Sequence, residues 1–576
     1  MSRLSYLLIT MLLLGILAPF VAARIEAPRQ GPPDPLRPAD PAFEQRKEAL
    51  LAGIIAAYQD QPLRGKFAYW QAQALLAAGH TEDGIRLLEA NLETNLEDVQ
   101  GDRFGAWAMA DAYWRWRSVL PASTKESFKR QLTGYADYAG GRTENHRLML
   151  ATARYLAGEA WPDAPFASSF RDEDPSGRRF LLNRMNRYVH RGTAEFDSPA
   201  YQTFYIGPMR SLADLAPDPA VRQQAAMTAA WLILENAGEW LDGHWLSASL
   251  RYKREYDGQD AFLSADYVLW LYFGASFTPD FASEKALFAV QAAVSPYRFP
   301  ASVTAIAANR EHAFVHRETD RWMGRHHYKT TYLNRTYGVY SVMEDYPVHT
   351  AFSEQYHRWA VQWLRPSGTS RLYVKHPHPV TGEEGTTGYE QVWQHEGTVL
   401  AVYALPEDDA HPWVRLRTPL SFRAVIDESD RGDVFFHYGS VLVALRLSEA
   451  FGWDASSDAH AHRAGMLGVV IETALPEAYP GPAPEQLRAF KEAVQAHALR
   501  FSAAGGVPTL RYQDLHGARL SITYGGARTV NGRPVDLHTW PLLEDPWMQQ
   551  RVNEDRLVIQ AGTRPVVYDF GTWTER

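Results

Sequence analysis

The hydrophobic period of this chain changes once, near Pro300. Before that point apolar residues recur at three- and four-residue spacing, and after it they alternate in short runs. Helical and strand periods are therefore segregated along the chain and not interleaved. That pattern predicts an α+β multidomain fold with the helices first.

The helical segments read as Ala42–Gln59, Gly65–Ala78, Thr81–Leu96, Phe104–Leu120, Ser123–Ala139, Glu144–Gly158, Gly177–Val189, Tyr201–Leu215, Pro219–Trp240, Asp260–Phe273 and Ser283–Ala293. Pro, Gly or Asp punctuates the joints. Antiparallel hairpins with short connections curve into a solenoid or close into an (α/α) toroid. Trp70–Leu92 has the texture of a tetratricopeptide unit, but no second copy follows at a fixed period. The strand-like runs are Tyr328–Leu333, Tyr337–Met343, Gly397–Ala404, Asp433–Phe436, Ser440–Leu445, Met466–Glu472, Arg519–Tyr524 and Arg556–Ile559, with one helical interlude at Pro484–Ala498. The reading is an N-terminal (α/α) toroid over residues 42–298 and a C-terminal antiparallel β-sandwich over residues 299–576.

The first 23 residues read as a cleavable secretory signal: Arg3, an apolar run from Leu4 to Phe20, then Val21-Ala22-Ala23. A Pro-rich leader spans residues 24–41. The expectation is a periplasmic or secreted protein with no membrane span after cleavage. With no cysteine, the chain has no disulfide, thiol nucleophile or thiolate metal site. A net charge of −9 without a basic tail argues against nucleic acid as a partner. The 18 Trp, 29 Tyr and 25 Phe suit either large cores or a cleft where sugar faces stack on rings.

Three loops at helix boundaries concentrate polar groups. The first is Thr143-Glu144-Asn145-His146, where capping accounts for Thr143 but not for the Asn-His pair. The second is Glu195-Phe196-Asp197-Ser198-Pro199-Ala200-Tyr201, followed by Tyr205. The third is Gly243-His244-Trp245 with Arg251, Tyr252, Arg254 and Tyr256 beyond it. In isolation the third reads as a solvated basic loop. Together the loops supply what β-elimination of a uronic acid needs: a group that neutralises the carboxylate, a base for the C5 proton and an acid for the departing oxygen.

These motifs in this order resemble exported polysaccharide lyases of the toroid-plus-sheet type, such as chondroitin/hyaluronate, heparinase-like and alginate lyases. The resemblance implies Asn145 as neutraliser, His146 as base or its assistant, a tyrosine among Tyr201, Tyr205, Tyr252 and Tyr256 as acid, and Arg251 as carboxylate binder. Glu195, Asp197, His244, Trp245, Tyr252 and Arg254 would bind the anionic polysaccharide. No cofactor is required. Other histidines lie outside this pattern: His312 and His316 have a helical ligand spacing in text that does not read as helix, adjacent His326 and His327 would point to opposite faces of a strand, and His376 and His378 would share one. No metal site is assigned to them. Two alternatives remain: a glycoside hydrolase using Glu144, Glu195 and Asp197 as acid and base, and a non-catalytic exported carbohydrate-binding protein.

Overall fold

The computed structural model describes residues 41–93, 102–141, 143–170, 174–250, 262–299, 301–322, 325–344, 357–366, 368–377, 387–419, 425–428, 433–449, 452–453, 459–462, 465–561 and 565–575. The expected signal and all of the leader up to residue 40 therefore lie outside the described residues, as do His378, Arg251, Tyr252, Arg254 and Tyr256, while Pro41, assigned to the leader, opens the first helix.

The helices form where the period and the caps agree. Pro41–Tyr58 buries Phe43, Leu50, Leu51 and Ile54 on one stripe. Asp102 caps Arg103–Trp116 by accepting from the N–H groups of Phe104 and Gly105, at 3.1 and 3.2 Å. Asp218 caps Pro219–Leu234, with Pro219 at its first position. Lys66–Ala77 packs on Arg103–Trp116, which packs on Glu144–Ala160, then Thr203–Leu215, then Val290–Val294, and this last helix returns to Lys66–Ala77. The inner helices thus close a ring, an (α/α) toroid. Close approach inside it needs Gly207, where a Cβ would stand 2.4 Å from the Trp107 ring.

All strand pairs among the described residues are antiparallel. A 13-stranded sheet carries, in spatial order, Thr369–Lys375, Trp359–Leu364, Tyr337–Glu344, Arg325–Leu333, Phe314–Trp322 and Pro541–Glu544 near its middle. A six-stranded sheet faces it across a core of Val339, Val361, Leu372, Ala401, Val443 and Ile471. This is the expected β-sandwich. Ala483–Gln495 covers the outer face of the smaller sheet through Leu487, Phe490 and Val494. The ring's own core includes Leu542, Leu557, Ile559 and Phe570, so the last strands of the chain pack on the helices.

Three differences from the sequence reading matter. A helix at Ala301–Ala308 extends the helical part beyond residue 298. A short hairpin, Trp240–Leu241 with His244–Trp245, sits among the helices. The first long strand is Phe314–Trp322, which the alternation rule missed. Its inward positions hold His316, Glu318 and Asp320, so burial there is polar and leaves no hydrophobic alternation to read. His316 being on this strand, and His312 exposed before it, the two do not share a helix face.

Candidate functional site

There are two polar constellations, one on a partly open aromatic rim of the helical part and one buried where helices meet the sheet. At the rim, the first turn of Glu144–Ala160 is folded around its own side chains. Thr143 has the extended backbone of a cap, but its hydroxyl donates to Asn145 Oδ1, which also accepts the backbone N–H of His146 at 2.7 Å. Asn145 is 1% exposed, whereas His146 is half-buried. The His146 ring meets Phe104 edge-on, with centroids 5.6 Å apart. Phe104 meets Phe204 at 4.7 Å, and Phe204 meets the half-buried Tyr201 at 6.0 Å. One continuous ring path therefore joins His146 to Tyr201.

The other predicted groups are turned inward. Glu144 pairs with Arg184 and Arg187 and accepts the Ala194 N–H at 2.7 Å, which ties the first loop to the second. Tyr205 is fully buried, packs against Tyr188 and donates its phenol to Glu195 Oε2 at 3.2 Å. Burial, with Glu144 and Glu195 beside it, holds that phenol well above its usual pKa. Asp197 adopts φ +44°, a strained value for a residue with a side chain, and binds Lys329 and the Ser247 hydroxyl. The Ser247 bond ties the second loop to the third. The His244 ring lies tilted against Phe277, with centroids 5.5 Å apart, and Trp245 donates to Glu239 at 2.9 Å. Both are buried. The first two loops and the described start of the third therefore converge, but Glu195, Asp197, His244 and Trp245 sit inside the fold.

Asp197 belongs to a cluster that the sequence reading missed. His316, Glu318 and Asp320 alternate on one face of their strand, and Lys329 stands opposite Glu318 on the next. The Lys329 ammonium contacts Asp197 and Glu318 and lies 2.9 Å from Asp320. His316 bridges Glu318 at 2.6 Å and Asp545 at 3.2 Å. From the helical side, Glu239 accepts the Thr331 hydroxyl, and Glu235 accepts from Gln202. Gly192 is required here, because a Cβ would stand 2.0 Å from Asp320 Oδ1. Two subsets hold ligand-type atoms within 4.8 Å of one another: Glu239, His316 and Glu318, and Asp197, Glu318 and Asp320. In the second the ammonium contacts all three carboxylates, where a metal cation would otherwise sit. The readable signal was His-x-Glu-x-Asp at strand spacing, together with Glu235 and Glu239 one helical turn apart.

Carboxylates outnumber bases in this cluster, and its protons follow. Burial raises Glu235, Glu239 and Asp320, the last to about 6. Burial alone would lower His316, but Glu318 and Asp545 override it and bring it up to about 10. Glu318 goes the other way: burial would raise it, and Lys329 and His316 hold it below its usual range. An acid or a histidine raised in the fold keeps protons that the unfolded chain releases, so its stabilisation is lost as pH rises. Thermal stability is therefore expected to fall between pH 4 and 6 as Asp320 titrates and again between 6.5 and 10 with His316. Melting temperatures across that range check this, and Asp320→Asn should flatten the first limb. A wild-type melting temperature that climbs throughout would sink the argument.

Comparison with known proteins gives fold-level likeness only. No protein-family model matches the chain, and no curated protein matches its sequence. Among solved structures, a heparinase III is similar at 9% identity and TM-score 0.38, covering 86% of this chain and 93% of that one. A second heparinase III, with methylated lysines, is similar at 10% identity and TM-score 0.35, covering 81% and 85%. The heparan sulfate lyase HepC from Pedobacter heparinus gives 10% identity and TM-score 0.32, covering 88% and 91%. At values this low the likeness does not reach the chemistry of this chain. Among the described residues, no helix is long and apolar enough to cross a membrane.

Proposed function

We propose that this chain is an exported polysaccharide lyase that cleaves a uronate-containing anionic polysaccharide by β-elimination. The observation that supports this over hydrolysis is the fate of the carboxylates. Glu144, Glu195 and Asp197, the acid and base of the hydrolase alternative, are occupied by Arg184, Tyr205 and Lys329 inside the fold. The proton-transfer groups on the rim are His146 and Tyr201. Convergence of the loops also favours a catalytic site over a scattered binding surface.

In this reading His146 takes the C5 proton. The C5 electrons form the C4=C5 bond as the C4–O bond breaks, and Tyr201 protonates the departing oxygen. Tyr205, fully buried against Glu195, is a structural tyrosine and not the acid. Asn145 anchors the first turn through its carboxamide oxygen, which accepts from the Thr143 hydroxyl and the His146 backbone N–H, and its amide nitrogen is the donor that this reading gives to the substrate carboxylate.

The test is the product. Incubation with hyaluronan, heparan sulfate, chondroitin, alginate and polygalacturonate should yield, for at least one polymer, ultraviolet absorbance from the conjugated double bond. Reducing ends released without that absorbance would make the protein a hydrolase. Binding without cleavage would make it a carbohydrate-binding protein.

A further inference from the structure

The aromatic rim carries one more group, a cation that the loop motifs did not include. Lys66 is the first residue of its helix, and the preceding Gly65 is pinned at both ends: its N–H donates to Asn91 Oδ1 and its carbonyl accepts from Asn91 Nδ2, at 2.9 and 3.1 Å. The lysine therefore leaves a fixed piece of backbone. Its ammonium lies 4.9 Å from the Phe104 ring centroid and 5.2 Å from that of Phe67. Phe67, Phe104 and Phe204 all contact Phe288, at 5.5, 6.4 and 4.9 Å. His146 approaches the same Phe104 ring. A cation and an imidazole thus flank one phenylalanine.

The ammonium is held only loosely by the fold, in a half-exposed ion pair with Asp102. The carboxylate of Asp102 stands 3.8 Å away, beyond hydrogen-bond distance, while its Oδ1 caps the next helix. The Lys66 side chain is 29% exposed. The buried Lys329, gripped by its carboxylates, shows what a structural lysine in this protein looks like. Lys66 is the contrast: placed by its backbone, backed by rings and reachable.

We propose that this end of the helical ring is a subsite for one anionic sugar residue, in which Phe104 and Phe67 meet the apolar sugar face and Lys66 anchors its carboxylate or sulfate. The assignment rests on the lyase reading for the identity of the polymer. It places a cation on the same Phe104 ring that His146 meets, at the end of the helical ring where negative charge would develop.

The experiment measures binding and turnover separately. Oligosaccharides of hyaluronan, alginate and polygalacturonate carry only carboxylates, heparan sulfate adds sulfate, and carboxyl-reduced hyaluronan is neutral. Binding of each is measured by calorimetry with the full chain and with Lys66→Ala, Lys66→Arg and Phe104→Ala. Lys66→Ala should weaken binding of an anionic probe about tenfold, Lys66→Arg should restore most of it, and Phe104→Ala should weaken binding with or without charge. Loss on the carboxylate-only probes identifies a carboxylate anchor, and loss confined to heparan sulfate a sulfate anchor. Unchanged anionic binding in Lys66→Ala, equal loss on the neutral probe, or no binding of any probe by the unaltered chain overturns the subsite. Turnover with unchanged binding in Lys66→Ala would reject the subsite and leave the lyase reading standing. Lys66-dependent binding without turnover would do the reverse.

Discussion

Replacing Lys329 by methionine is expected to cost about 3–5 kcal/mol of folding stability, the usual penalty for removing one partner of a buried ion pair. The lysine is 1% exposed and lies among Asp197, Glu318 and Asp320. Methionine keeps much of its length and leaves these carboxylates facing one another in a dry interior, where each resists ionisation. The loss should show in chemical denaturation as a lower midpoint with an unchanged slope. It should also shrink when Asp197→Asn and Asp320→Asn are added, since a buried charge cluster replaced as a unit is often close to neutral. A loss below about 1 kcal/mol would mean the lysine behaves like a surface ion pair. Because Asp197 leaves a loop of the helical part and Lys329 leaves the sheet, this contact also fixes one to the other.

The second large effect concerns turnover. On a polymer that the chain cleaves, His146→Ala and Tyr201→Phe should each reduce kcat by about a hundredfold to ten-thousandfold, the range for removing a positioned base or acid. Both residues are half-buried on the rim, so their melting temperatures should stay near that of the unaltered chain. Tyr205→Phe should behave oppositely, costing about 1 kcal/mol through the lost Glu195 hydrogen bond and little in kcat. Glu195→Gln and Asp197→Asn separate the mechanisms, because a hydrolase dies when its carboxylates are neutralised. Dead carboxylate variants beside active His146 and Tyr201 variants would refute elimination even with the fold as described. Stability must be measured alongside, since Asp197→Asn also loosens Lys329.

The loop motifs were legible to different depths. Asn145 and His146 were readable as an unusual pair at a helix start, but not their division of labour. Only the folded turn shows the carboxamide oxygen accepting from the Thr143 hydroxyl and the His146 backbone N–H. Likewise Tyr201 and Tyr205 are equivalent in the sequence, four residues apart near a helix start. Their difference is that one faces the Phe204 edge of the rim while the other faces Glu195. Lys66 was not singled out at all, because nothing local distinguishes it from any lysine at the start of a helix. Its rings come from positions 67, 104 and, through Phe104, 204 and 288.

What the sequence determined by itself was the order of architectures. Hydrophobic period is a local property, set by the 3.6-residue turn of a helix and the two-residue alternation of a strand, so the succession of helices and then strands could be read without partners. The tertiary structure decided ring closure, the pairing of Phe314–Trp322 with Pro541–Glu544 and the assembly of the Lys329 cluster. Each of these needs at least one contact between residues more than a hundred positions apart, as Lys329 makes with Asp197. A buried polar strand face reads as exposed in one dimension, because alternation of charge looks the same whether water or carboxylates wait on the other side.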